Sequence, residues 1–258
     1  MRGAGPFDPT RPNIARVWDY WLGGKDNYAV DRELAEKLLA IHPASAQMAR
    51  ENRAFLQRAV RYVAARGVGQ FIDVGAGLPT ALNTHDVAQD VNPDARVAYV
   101  DNDPVVIAHG RSLLARSPGV VVVPGDVRDP RSILSDAALT EHVDLAEPTC
   151  VILSAILHFS EAATARDIAS VFIEAMSPGS YLIISVGSGA PREGNRFASA
   201  YTAARIHIHS RDELSTFFGD LDLVPPGVAA VRCWRGDDPA DVRAPRSATF
   251  LCGVGRKR

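Results

Sequence analysis

The sequence predicts an α/β protein: an open, doubly wound, mostly parallel sheet behind an N-terminal helical extension. Three observations carry that expectation. Short apolar runs recur from residue 70 onward, and several end in Gly, Asp or Ser. Segments of helical periodicity separate them, the alternation that parallel sheets require. Before residue 67 the chain shows helical stretches and no strand-like run. The apolar runs lack a polar face, which suits strands covered by helices on both sides rather than half-wetted antiparallel ones.

The extension, residues 1–66, contains "DRELAEKLLAIHP", where Leu34, Leu38 and Ile41 share a stripe, Asp31 can cap and Pro43 marks a break. "PASAQMARENRAFLQRAVRYVAARG" predicts a long helix with Met48, Phe55, Ala59 and Tyr62 facing a core, stopped at Gly67. The strands of the 67–258 domain follow as "FIDVG", "RVAYVD", "VVVVP", "CVILSA" and "YLIISVG", then "LDLVPP…VAAVRCW" and "ATFLCGVG", seven in all. Asp103-Pro104 and Asp129-Pro130 each pair a cap with a first-turn proline ahead of a helical segment. "SEAATARDIASVFIEAM" is helical by its Ile168, Phe172 and Met176 spacing, and Ser210 with Glu213 has capping-box spacing. Residues 188–209 form an insertion that places Phe197, Tyr201 and Ala204 on one side of a helix; its position after the fifth strand suits a lid on the acceptor side, and covering the sheet edge is the rival reading. The extension and the domain are expected to pack as a single unit.

Composition excludes several functions. The 258 residues are 47% apolar and 22% charged, an ordinary globular balance. With 28 basic and 30 acidic residues the formal charge is -2, which gives no footprint for nucleic acid or an acidic membrane surface. Cys150, Cys233 and Cys252 are too few and too far apart for a disulfide framework, and no Cys/His spacing suggests a metal site. The N-terminus lacks an apolar leader, and no run approaches the ~20 residues that span a bilayer. A cytoplasmic protein is the expectation, and a homodimer is compatible with it.

Ligands of such sheets sit beyond the carboxyl ends of the strands, so those residues carry the functional information. In "FIDVGAGLPT", Gly75-Ala76-Gly77 can make a tight turn that lets a ligand approach the backbone. Thr80 stands where a dinucleotide fingerprint has its third glycine, and Pro79 removes a backbone donor. The loop is therefore a poor pyrophosphate cradle but a compact wall for a mononucleoside. Asp73 can orient an amino group, or simply accept loop N–H groups. Asp101 ends the second strand 24 residues after Gly77, where a carboxylate accepts both ribose hydroxyls. Asn102 can shape the same edge, and Asp103 reads as the helix cap. Asp126-Val127 follows the third strand and offers an acceptor for an adenine amine beside an apolar contact, although a turn-capping Asp is the rival reading. Ser154 ends the fourth strand. His158, shortly after it, can serve as a base toward an acceptor or as a packing group. Tyr201, in the insertion, is the second candidate catalytic group. Arg53 can pair with a carboxylate.

These positions together resemble the class I S-adenosylmethionine-dependent methyltransferases over residues 70–258. The resemblance implies a Rossmann-like methyltransferase fold whose last strand is antiparallel, with S-adenosyl-L-methionine as cofactor. It puts the glycine loop on the cofactor, Asp101 on ribose and Asp126 on adenine. Pro79 departs from that pattern. The whole chain further resembles an actinobacterial family of S-adenosylmethionine-dependent methyltransferases formerly catalogued as a domain of unknown function. "ARVWDYWLGGKDNYAVDR", "ENRAFLQRAVRY", "FIDVGAGLPT", "AYVDNDPVV", "LHF", "PGSYL" and "GVGRK" carry the likeness. Its hallmark is the Gly23-Gly24-Lys25-Asp26-Asn27 turn, expected to form a lid over the methionine end of the cofactor with Lys25 as a contact.

The expected reaction is methyl transfer to a small-molecule acceptor that no residue names. A non-catalytic binder of the same cofactor is an alternative, because no unmistakable base is present. An NAD-dependent oxidoreductase also suits Asp101, but Pro79 and Thr80 weigh against it.

Overall fold

The computed structural model describes residues 8–80, 82–114, 117–189, 191–236 and 249–258, with backbone alone at 191–195 and 249. Three helices open the chain: α1 (Ile14–Trp21), α2 (Ala29–Ile41) and α3 (Ser45–Ala64). The alternating region follows as β1 (Gln70–Val74), α4 (Thr84–Val91), β2 (Arg96–Asp101), α5 (Pro104–Leu113) and β3 (Val120–Pro124). It continues through α6 (Pro130–Leu134), α7 (Ala137–His142), β4 (Cys150–Ser154), a 3-10 turn at Leu157–Phe159, α8 (Ala162–Ala175) and β5 (Tyr181–Ser188). Then come α9 (Pro191–Ala200), α10 (Arg211–Thr216), β6 (Asp222–Leu223), β7 (Ala229–Ala230) and β8 (Thr249–Arg256).

The sheet runs β3-β2-β1-β4-β5-β8-β6, with β7 also paired to β8. β1 to β5 pair in parallel, and β8 runs antiparallel to β5 from Tyr181↔Arg256 to Ser188↔Thr249. Strand order reverses between β1 and β4, which opens a crevice at their carboxyl ends. Successive side chains point to opposite faces, so each strand feeds two cores. Phe71, Val97, Ile152 and Ile183 pack beneath α3 and α4 on one face, whereas Ile72, Val100, Leu153 and Ile184 pack against α6, α7 and α8 on the other. This two-sided burial is why the strands read as uninterrupted apolar runs.

The sixth expected strand, "LDLVPP…VAAVRCW", is instead two short strands, β6 and β7, each paired with β8. Pro225 and Pro226 supply no N–H for a ladder, and the chain turns between them before rejoining β8. The single helix expected over "RSILSDAAL" is likewise two, because Asp136 accepts from Ala138 N–H and Leu139 N–H and starts a new helix. Asp31 is not the N-cap of α2. Tyr28 takes that position, and Asp31 reaches back from the first turn to accept its N–H at 2.8 Å. Helix α4, which the apolar pattern did not mark, begins where Asp86 accepts from Asn83 N–H at 2.7 Å. Asp103 and Asp129 cap α5 and α6 as expected.

The extension packs against the 188–209 insertion through a third core containing Val17, Trp21, Leu34, Leu38 and Tyr201, and meets the sheet where Trp18 packs on Phe250 of β8. Inside it the buried Arg16–Asp31 ion pair, 2.7 Å long, ties α1 to α2. Asp31 also accepts from Asn13 N–H at 2.8 Å, so one carboxylate fixes both helix starts. The three cysteines are free and buried. Among the described residues, no helix is long and apolar enough to cross a membrane, and no cluster of side chains is arranged to hold a metal ion.

Candidate functional site

A cavity of about 170 Å³ lies over the carboxyl ends of β1, β2 and β4, at the reversal of strand order, with α1 and α3 as its roof. Arg53, Asp73, Gly75, Ala76, Gly77, Asp101, Asn102 and Ser154 all line it. Sequence position at the strand ends was thus enough to gather seven of these predicted residues, and Arg53 joins them from α3.

The floor is the turn after β1. Gly75 has φ 72° and Gly77 φ 68°, the left-handed region that glycine adopts freely. A Cβ on Gly75 would also meet the Ile156 side chain at 2.8 Å. Gly77 N–H donates to Asp101 Oδ2 and Asp103 N–H to Oδ1, both at 2.9 Å. Each carboxylate oxygen keeps a further lone pair for a vicinal diol. Burial pushes the Asp101 carboxyl up to about 6, against the lowering effect of those two N–H groups. Asp73 is almost fully buried and accepts from Thr84 Oγ1 at 2.6 Å; burial raises its pKa, which Thr84 and Arg53 offset in part. Arg53 reaches from α3 to Thr80 Oγ1 and, at 2.8 Å, to the Leu82 carbonyl, so it also braces the Pro79 loop. Beyond the turn, Ala155 lines the cavity at φ 55°, a left-handed conformation unusual for a residue with a Cβ.

Two side chains at the roof hold buried polar atoms with no hydrogen-bond partner: Asn52 Oδ1 and Arg53 Nε. Asn52 Nδ2 is spent on Ser154 Oγ at 3.2 Å. Asp19 and Asp103 add carboxylates to the lining, so four acids face one guanidinium. Such a cavity favours a ligand with cationic groups, a diol at the Asp101 end and one anionic group for Arg53.

Sequence reasoning missed Asn13, Asp19, Leu22 and Asn52. Asn52 carried a readable signal, since it sits with Ala49 and Leu56 on the buried stripe of α3, where a polar residue calls for a partner. Asn13 carried none: it caps α1 and donates to Asp103 Oδ2 across 90 residues of chain.

The hallmark turn is built around Asp19 rather than around the cavity. Asp19 accepts from Asp26 N–H at 2.9 Å and Asn27 Nδ2 at 2.7 Å, and a Cβ on Gly24 would lie 1.9 Å from its Oδ1. Gly24 is therefore required by close approach. Lys25 is exposed and does not line the cavity, because the turn closes inward on Asp19 and leaves Lys25 outside. The segment reaches the cavity through Trp18, Asp19 and Leu22 instead.

Asp126 and Val127 also lie off the cavity lining. Arg128 holds the Asp126 carboxylate through Nε at 2.9 Å and through Nη2, which keeps its pKa low. Tyr201 points into the third core, where burial raises its phenol far above the ordinary range. His158 is buried on the 3-10 turn with its ring 4.3 Å from Phe159 and 5.6 Å from Phe250. Burial, reinforced by His209, pushes its pKa down to about 3, so it is a neutral and weak base at physiological pH. Neither predicted catalytic group touches the larger cavity. Their local apolar surroundings, invisible in the linear pattern, take both rings inward. His158 lines a second cavity, of about 60 Å³, beyond Trp18; Trp18 is a wall of both.

Known proteins agree with this architecture. The family model for S-adenosyl methyltransferase matches residues 3–258. A candidate methyltransferase from Thermobifida fusca YX is 39% identical, with 96% of each chain covered and a TM-score of 0.90. A DUF574 family protein from Streptomyces avermitilis MA-4680 is 36% identical over 97% of this chain and 99% of that one, with a TM-score of 0.91. The N-methyltransferase NodS from Bradyrhizobium japonicum WM9, solved with S-adenosyl-L-homocysteine, is 13% identical over 94% of this chain and 98% of its own, at TM-score 0.51, a likeness of fold alone. A search among curated proteins found no match. With the strand-end cavity, its glycine turn and its carboxylate at the end of β2, the chain belongs to the S-adenosyl methyltransferase family.

Proposed function

We propose that this protein transfers a methyl group from S-adenosyl-L-methionine to a small-molecule acceptor, and that the cavity beneath α1 and α3 holds the cofactor. The observation that carries the reading is the meeting of Asp101, the Gly75–Gly77 turn and the two unpartnered atoms Asn52 Oδ1 and Arg53 Nε in one enclosed space. Asp101 would receive the ribose hydroxyls. Asn102, at the exposed rim, and Asp126-Val127 just beyond it would flank adenine. Asn52 Oδ1 and Asp73 suit the ammonium of the methionine end, and Arg53 suits its carboxylate. The cofactor supplies a sulfonium methyl, which an acceptor lone pair captures while the C–S bonding pair stays on sulfur. The chain's own task is alignment and the exclusion of water, which α1 accomplishes by lying across the cavity.

Two measurements test this reading. Calorimetry should detect S-adenosylhomocysteine binding and no comparable binding of NAD. Methyl-labelled cofactor incubated with fractionated cell extract should label low-molecular-weight material. Label confined to protein or nucleic acid would overturn the small-molecule assignment, and preferential NAD binding would overturn the reading as a whole. Label in no fraction, with cofactor binding intact, would favour a binding protein without turnover.

The cofactor affinity should also depend on pH. The ribose hydroxyls need an ionised Asp101, whose carboxyl titrates at about 6 in the empty cavity. Affinity is therefore full above neutrality and is lost as pH falls through that value, by about tenfold between pH 7 and pH 5 for this group alone. The Asp101→Asn variant should remove that component, leaving a shallower profile with a weaker plateau. A wild-type profile that stays flat to pH 5 would contradict the role of Asp101.

A further inference from the structure

Four carboxylates line the larger cavity, those of Asp19, Asp73, Asp101 and Asp103, against the single guanidinium of Arg53. With the cofactor placed as proposed above, a ligand carboxylate meets Arg53, an ammonium meets Asp73 and Asn52, and the ribose diol meets Asp101. Asp19 and Asp103 are left over, and each is held by neutral donors. Asp19 accepts from Asp26 N–H at 2.9 Å and from Asn27 Nδ2 at 2.7 Å. Asp103 accepts from Val105 N–H at 2.7 Å and from Asn13 Nδ2. Neither forms an ion pair among the described residues: Arg16, on the same helix as Asp19, is committed to Asp31, and His109 Nδ1 lies 3.7 Å from Asp26. Neutral N–H groups fix a carboxylate in place without cancelling its charge.

That charge reaches its neighbours. Burial is the main cause of the high Asp101 pKa, and the Asp103 charge beside it raises it further. Asp19 is buried as well, and burial raises its pKa against the lowering effect of Asn27 and Asp26 N–H. A cation brought among such groups stabilises their ionised forms, and the attraction is stronger here than in open water. A ligand with net positive charge therefore gains what a neutral ligand of the same shape does not.

The cofactor and its product differ by one such charge. S-adenosylmethionine carries a sulfonium, an ammonium and a carboxylate; S-adenosylhomocysteine carries only the last two. When an acceptor lone pair bonds to the methyl carbon, the C–S bonding pair stays on sulfur and the unit of positive charge passes to the acceptor. Resting on the reading of the larger cavity as the cofactor site, we infer that Asp19 and Asp103 are specificity-determining residues, which make the cavity hold the sulfonium cofactor more tightly than its thioether product. Turnover then loosens the spent cofactor and favours its exchange, whichever atom is methylated.

Calorimetric titration of the full chain tests this with three ligands: S-adenosylmethionine, S-adenosylhomocysteine and sinefungin, which carries a protonated amine in place of the methyl sulfonium. Both cations should bind at least about fivefold more tightly than the thioether, a modest share of what one pair of charges gains in a partly desolvated site. Asp19→Asn and Asp103→Asn keep the side-chain shape and one acceptor oxygen while removing the charge. Each should weaken the two cations at least about twofold more than it weakens S-adenosylhomocysteine. General damage to the cavity would lower all three alike, so the selective loss reports charge. A thioether that binds as tightly as the sulfonium, sinefungin that follows the thioether, or a preference that survives both substitutions overturns the charge selection. Failure of all three ligands to bind the unsubstituted protein would instead strike the cofactor reading.

Discussion

Asp101→Ala is expected to lower the affinity for S-adenosylhomocysteine by roughly a hundredfold or more, the loss of two hydrogen bonds to a charged acceptor. The carboxylate is held for this work by two backbone N–H groups, at 2.9 Å each, from the glycine turn and from the start of α5. Its side chain therefore needs no reorganisation when a diol arrives. Removing it also frees Gly77 N–H, so the turn after β1 loses a tether along with the ligand contact. Circular dichroism should still report a folded protein, because Asp101 lies at a strand end, outside all three apolar cores. Calorimetric titration decides the matter: an affinity within threefold of the unsubstituted protein would remove Asp101 from the site.

The second large effect is on stability. Asp31→Ala should destabilise the protein by about 3–5 kcal/mol, the usual consequence of stripping the partner from a buried charge. Arg16 and Asp31 are both almost wholly inaccessible, and the ion pair sits between α1 and α2. The same carboxylate accepts from Asn13 N–H and Tyr28 N–H, so its loss releases both helix starts as well. Because Asn13, Trp18 and Asp19 reach the cavity from α1, cofactor affinity should fall together with the denaturant midpoint. Combining Asp31→Leu with Arg16→Met removes the stranded charge and should restore part of the stability. Recovery would be incomplete, since the two N–H groups still lack their acceptor. A change of less than 1 kcal/mol in Asp31→Ala would show that the extension is not anchored through this pair.

The fold was legible because its causes are local. Strands buried on both faces are apolar throughout, and Asp103 and Asp129 mark their helix starts beside a proline. The strand ends were legible for a topological reason: once β1, β2 and β4 are parallel neighbours, Gly75, Gly77, Asp101 and Ser154 must emerge at one edge. His158 follows the same strand-end logic, yet it is turned away from the larger cavity by its packing against Phe159 and Phe250. Lys25 was assigned from the motif that contains it, but the motif is a loop folded on Asp19. Close approach of Gly24 to that carboxylate is a three-dimensional requirement, and a string of residue types records only that the glycine is there.

By itself, then, the sequence determined the strand–helix alternation, the parallel core strands and the glycine and aspartate positions at their ends, because periodicity and capping act within a few residues. Only the tertiary structure decided which helices roof the cavity and what they bring to it. Asn13 meets Asp103 across 90 residues, and Asn52 meets Ser154 across 102. Contacts at such separations depend on how α1 and α3 pack on the sheet, and burial then selects which polar groups become ligands' partners and which, like Tyr201, become core.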